Sequence, residues 1–243
     1  VEWEPELVEN TNLHQEINQY IGKYVKTNGA SAFEVFLAHS ADRLIEHETK
    51  IYQRQYPIAF CNWVTTDPLK HKNEPDIKED KVAVNVENIQ PTTLFKTGFF
   101  ASYHVYPYYP EGIVYQEDYL KTSNPYQAYI QELVDYHSIP VLISEVGIPT
   151  SRGQTHVNPY TGYNQGFMSE KEQGEALVDL VQSIYNVDAM GALIFSWQDE
   201  WFKRAWNTMD LDISSHRPQW IDYMTSEQNY GLMSFDPGES SII

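Results

Sequence analysis

Cysteine, positive charge and long apolar runs are what this sequence has least of, and each shortage excludes something. Cys61 is the single cysteine in 243 residues, so no internal disulfide and no zinc-type cysteine cluster can form. Within Tyr56-Pro-Ile-Ala-Phe-Cys-Asn62 it reads as a small buried hydrophobe. A lone cysteine suits the cytosol and equally the disulfide-free proteins that bacteria secrete; an extracellular or cell-surface bacterial setting is the expectation adopted. Lys and Arg number 16 against 34 Asp and Glu, a net charge of −18. That balance repels nucleic acid and anionic membrane surfaces. No apolar run nears the roughly 20 residues needed to cross a bilayer, so no membrane insertion is expected. No leader pattern opens the chain, and any secretion signal would lie outside these residues. There is no internal repeat, no His-x-His or His-Glu-x-x-His metal motif, and no Gly-x-Ser-x-Gly elbow. No metal or other cofactor is expected.

What is present is globular: 42% hydrophobic and 21% charged residues in a length that fits one domain with at most a short appendage. Aromatics are plentiful, with 18 Tyr, 10 Phe and 6 Trp. They gather in Tyr103-His-Val-Tyr-Pro-Tyr-Tyr-Pro110, in Phe195-Ser-Trp-Gln-Asp-Glu-Trp-Phe202 with Trp206, and at Asn62-Trp63. Aromatic faces pack on the C–H faces of sugars while polar tips hydrogen-bond, although Tyr and Trp also fill ordinary cores.

Apolar residues at Phe33, Phe36, Leu37, Ala41, Leu44, Ile45 and Ile51/Tyr52 have helical spacing from Ala30 to about Gln55, ended by Tyr56-Pro57. A buried strand is expected at Ile58–Asn62. The stretch from Trp63 to Lys96 is polar and irregular, with a short strand possible at Val82–Val86. Another strand follows at Gly98–Tyr106. Asn124-Pro125 supplies a helix cap and an N1 proline, and Tyr126, Tyr129, Ile130, Leu133, Val134 and His137 line one face behind it. A strand at Ile139–Glu145 comes next. Ser169-Glu-Lys-Glu172 matches a capping box that opens a helix striped by Ala176, Leu177, Leu180, Val181 and Ile184. Gly191–Trp197 is the last strand. Alternating strands and helices indicate parallel βαβ units. Catalytic groups of such folds lie at strand C-termini, here Asn62/Trp63, His104/Tyr106, Glu145 and Trp197. A carboxylate at Glu145 has little structural reason to be there, beyond an ion pair with Arg152.

These motifs, in order, resemble the retaining glycoside hydrolases of the (β/α)8-barrel superfamily called clan A. The resemblance runs from Glu2 to about Trp206. It implies that Ile143-Ser-Glu-Val-Gly147 closes the seventh strand with the nucleophile, Glu145, and that His104-Val-Tyr106 closes the sixth. It also implies that Trp197 of Ile194-Phe-Ser-Trp197 closes the eighth strand as a floor for sugar. The acid/base would close the fourth strand, where Trp3-Glu4-Pro5 stands. Trp3 replaces the family's usual Asn there, and Glu2 competes with Glu4. Tyr106 would donate to Glu145, and His104 would orient Tyr106 or touch a sugar hydroxyl. Trp63, Asn62, Tyr108 and Trp201 would join Trp197 in binding substrate. The implied activity is retaining hydrolysis of O-glycosidic bonds in an oligo- or polysaccharide. The alternative is a non-catalytic, glycosidase-like carbohydrate-binding domain of a larger glycan-processing protein.

On that numbering the fold is an α/β, TIM-barrel type comprising strands four or five to eight and lacking the N-terminal strands. Residues 1–213 would be the C-terminal portion of the barrel and 214–243 an extension or the start of a further module. An unpaired edge at Ile58–Cys61 would favour self-association, or pairing with the missing half that activity requires.

Overall fold

The computed structural model describes residues 2–200, 203–204 and 225–234. In chain order the elements are α1 (Pro5–His14), β1 (Val25–Thr27), α2 (Ala32–Tyr52), β2 (Cys61–Trp63), β3 (Ile89–Pro91), β4 (Ala101–His104), α3 (Glu111–Tyr115), α4 (Glu117–Leu120), α5 (Pro125–Tyr136), β5 (Val141–Val146), α6 (Glu170–Asn186) and β6 (Gly191–Ile194). Strands β2, β4, β5 and β6 form one all-parallel sheet in that order. The short strands β1 and β3 pair antiparallel beside it. The class is therefore α/β with a parallel sheet, and among the described residues this sheet stays open.

The helices begin where local chemistry favours it. Ser31 and Glu34 form one reciprocal capping box and Ser169 and Glu172 another; each cap is worth about 1 kcal/mol. Asn124 Oδ1 accepts the Gln127 amide at 2.9 Å, with Pro125 pre-set for the first turn. Glu34 is buried and its carboxylate also accepts from the Asn85 amide and the Asn88 side chain. The start of α2 is thereby tied to the 85–88 turn.

Two apolar cores result. In one, Tyr129, Ile130 and Leu133 of α5 and Leu180 and Ile184 of α6 pack on Tyr103, Ile143 and Val146 of the sheet. In the other, α2 packs Phe33, Leu37, Ala41 and Ile45 against Val25, Ile89 and Phe99.

Several expectations need correction. Helix α2 stops at Tyr52, where Gln53 takes a left-handed conformation (φ 53°), rather than at Tyr56-Pro57. Phe36, Leu44, Ile51 and Tyr52 are exposed, and Val35 and Ala38 are buried in the face that packs. Val82–Val86 forms no strand; Asn85 caps a turn that leads directly into β3. The Trp3-Glu4-Pro5 segment is not a strand end: Glu4 precedes helix α1, and Pro5 occupies its first turn. The last strand ends at Ile194, short of Trp197.

The stretch from Trp63 to Lys96 is irregular but well tied. Asp67 Oδ2 is 3.1 Å from His71 Nε2 and accepts from Tyr129 at 2.6 Å, inside the molecule. The 225–234 segment lies alongside residues 196–200, with Ser196 donating to Tyr230 at 3.1 Å and Leu232 to Ser196 at 3.0 Å. Tyr230 is buried there.

Candidate active site

The C-terminal ends of β2, β4 and β5 open into a cleft of about 860 Å³. How Glu145 comes to face it follows from the strand. Along β5, Val141 and Ile143 are buried against the helices while Leu142 and Ser144 alternate to the other side. A register shift then places Glu145 opposite His104, so that Ser144 and Glu145 both escape burial. A bulge of this kind re-aims a side chain. Gly147 follows, where an added Cβ would run into the Phe195 carbonyl; the chain after β6 can therefore close on β5.

Tyr106 Oη donates to Glu145 Oε2 at 2.8 Å. Burial, with Tyr230 and Glu145 nearby, pushes the Tyr106 phenol far above its ordinary pKa and keeps it a donor. His104 Nδ1 lies 3.3 Å from the same Glu145 oxygen and 2.7 Å from Glu2 Oε1. One carboxylate oxygen from each of Glu2 and Glu145 lies within 4.8 Å of the other. Burial opposes the His104 imidazolium, but Cys61, Glu2 and Glu145 outweigh it and hold its pKa up to about 9. Arg152 is exposed and makes no ion pair with Glu145, whose charged neighbour is His104.

Glu4 lines the same cleft. Burial and the Glu6 and Glu2 carboxylates push its pKa up, yet Glu2 is the one that reaches His104. The segment is anchored by indoles. Trp3 Nε1 donates to Thr66 at 3.1 Å, Trp63 Nε1 donates to the Trp3 carbonyl at 3.0 Å, and Trp3 stands edge-on to Phe33. Trp63 also lines the cleft, 6.0 Å from Tyr109.

Other expected binding residues are placed differently. Asn62 is buried on the opposite side of β2, its amide spent on the Thr66 and Val84 carbonyls, the Thr66 hydroxyl and the Trp63 amide. Strand alternation puts it there, since Cys61 and Trp63 take the cleft side. Tyr108 borders the cleft but is only 3% exposed, its hydroxyl against that of Tyr230, so it has no open face for a sugar. Trp197 is 69% exposed and does not line the cleft; Phe195 does. Trp201 lies outside the described residues. Cys61 is not an inert hydrophobe: it is partly exposed, with Sγ 2.8 Å from His104 Nε2.

Residues that sequence reasoning missed complete the walls. Tyr109 packs on His156 at 4.4 Å and donates to Glu79 at 2.5 Å. Burial, opposed by that hydrogen bond and helped by Glu111 and Glu74, pushes Glu79 up to about 7. Glu227 reaches the cleft from the 225–234 segment beside Lys203, and no sequence signal marked it. Two carboxylate-rich groups, Glu2/His104/Glu145 and Glu74/Glu79/Glu111, have donor atoms close enough to hold a divalent cation. In the first, the proton that His104 holds up to about 9 competes with any metal.

No protein-family model matches the chain, and a search of curated proteins finds no match. Among solved structures it is similar to the crystal structure of a glycoside hydrolase family 17 beta-1,3-glucanosyltransferase from Rhizomucor miehei. The identity is 16% and the TM-score 0.44, over 96% of this chain and 68% of that one. A likeness at that level carries no functional weight, and the site is left to speak for itself.

Proposed function

We propose that this chain carries the catalytic end of a retaining glycoside hydrolase built on a (β/α)8-type barrel, of which the four-stranded sheet is one arc. Glu145 is the nucleophile. Glu2, rather than Glu4, is the acid/base. The observation that carries this reading is His104 Nδ1 set between the two carboxylates, at 2.7 Å from Glu2 and 3.3 Å from Glu145. One oxygen of each lies within 4.8 Å of the other, a closeness in keeping with the retaining separation of about 5 Å between carboxyl groups.

In the first step a Glu145 oxygen attacks the anomeric carbon. The bond to the leaving oxygen breaks as Glu2 delivers its proton there, giving a glycosyl ester on Glu145. In the second step Glu2 takes a proton from water, whose oxygen attacks the same carbon and releases Glu145. Tyr106, kept protonated by its burial, orients the nucleophile. His104, between the two, favours the ionised Glu145 and, once Glu2 has given up its proton, the Glu2 carboxylate as well. Trp63 and Tyr109 offer the aromatic surface on which a sugar ring stacks.

The alternative, a non-catalytic glycan-binding domain, draws on Trp3 standing where the family has Asn. With Glu2 as the acid/base the residue before it is Val1, which offers no side-chain amide to a sugar hydroxyl either, so the objection stands, while Trp3 anchors the segment that carries Glu2. The test is a pair of substitutions in the full-length protein, assayed on aryl glycosides with good and poor leaving groups. Glu2→Gln should slow poor leaving groups far more than activated ones, and Glu4→Gln should leave both nearly unchanged. The reverse pattern transfers the role to Glu4; no hydrolysis of any glycoside by the wild type favours the binding domain.

A further inference from the structure

His104 joins the two carboxylates, and what holds its ring is a sulfur. Strands β2 and β4 pair so that Trp63 lies opposite His104 and Cys61 opposite Ser102. Cys61 is therefore a diagonal neighbour, two residues back along the sheet. To reach it the imidazole leans toward the start of the strand, with Nε2 down at 2.8 Å from Sγ and Nδ1 up toward Glu2 and Glu145. Ser102 and Ser144 hydrogen-bond to each other at 2.7 Å beneath it. Among the described residues Sγ is the partner that Nε2 has. Without it, the hydrogen bonds that hold the ring among the described residues would be reduced to the Nδ1 contacts with Glu2 and Glu145.

We propose that Cys61 is a positioning residue for the reaction, its sulfur fixing the His104 ring so that Nδ1 stays between the Glu2 and Glu145 carboxylates. The proposal rests on the hydrolase reading for its effect on catalysis, but not for the contact itself. The titratable groups facing His104 are Cys61 from β2, Glu145 from β5 and Glu2 from the N-terminal segment, with Tyr106 behind Glu145. The high proton affinity of the ring, which persists to about pH 9 against the cost of burial, is what such a set produces.

The experiment compares Cys61→Ala and Cys61→Ser in the full-length protein, following the His104 ring by NMR from pH 6 to 10 and kcat and KM over the same range. Cys61→Ala should lower the His104 pKa by about one unit or more. It should move the alkaline limb of kcat with it, and cut kcat on the order of tenfold with little change in KM. Cys61→Ser keeps a polar partner of similar size and should recover part of both, whereas Cys61→Val, which fills the space without a polar atom, should recover neither. An unmoved His104 titration in a well-folded Cys61→Ala protein overturns the role of Cys61 and leaves the hydrolase reading intact. A shifted His104 in a protein that cleaves no glycoside supports the contact and sinks the hydrolase reading instead.

Discussion

The two carboxylates that meet across His104 reach the cleft by different routes. Glu145 ends a strand with neighbours on both sides, backed by the buried α5 and α6 faces. Glu2 lies on a segment with no strand of its own, held by two indole N–H bonds and the edge-on contact of Trp3 with Phe33. The sheet sets Glu145 through register and a bulge; Glu2, the proposed acid/base, depends on three contacts that single substitutions can remove. A retaining mechanism needs both to about half an ångström, so the weaker anchorage should decide where damage spreads.

The largest effect expected is on the strong side itself. Glu145→Gln should lower kcat on the order of 10⁴-fold or more while leaving thermal stability nearly unchanged, because among the described residues the carboxylate's ion-pair partner is His104. Activity close to wild type would contradict the comparison at its root. Next comes stability. Leu133→Ala opens a cavity beneath the sheet and should cost about 2–5 kcal/mol in denaturant unfolding, since Leu133 is wholly buried. Trp3→Ala, on the weak side, should instead depress kcat by roughly 10–100-fold at a smaller stability cost. If Trp3→Ala proved the more destabilising of the two, the N-terminal segment would belong to the main core.

A smaller effect separates support from chemistry. Tyr106→Phe removes the donor to Glu145 at 2.8 Å and should reduce kcat by roughly 10–100-fold with KM nearly constant. The smallest is a pH effect on the rim. Glu79 has a pKa near 7 in the fold against an ordinary 4.5, pushed up chiefly by burial. The folded state thus holds this proton more tightly than the unfolded chain. Its contribution is present below about 4.5 and is lost as pH rises through about 7. Glu79→Gln should flatten the fall in melting temperature between pH 5 and 8. An unchanged slope would place that carboxylate in open water.

The same contrast explains what could be read from residues alone. Asn124-Pro125 and Ser169-x-x-Glu172 announce helices by local hydrogen bonding, and the apolar stripes of α5 and α6 need only one buried face. Glu145 at the end of an apolar strand followed the same logic. Asn62 lies away from the cleft because one step along a strand reverses the face, which leaves Trp63 lining it. The last strand stops at Ile194, and beyond it Phe195 lines the cleft while Trp197 is exposed. Choosing between Glu2 and Glu4 required knowing that Pro5 starts a helix and that Trp3 turns inward. Cys61 and Glu227 became visible only through partners 43 residues away and in a separate segment, respectively.

The most direct test of the central claim is covalent trapping. The full-length protein, treated with a panel of 2-deoxy-2-fluoro glycosides carrying activated leaving groups, should gain the mass of one fluorosugar, located by peptide mapping on Glu145. Glu145→Gln should gain none, and Glu2→Gln should still accumulate the adduct with a slower release. A label on any other carboxylate would contradict the assignment of Glu145 as the nucleophile.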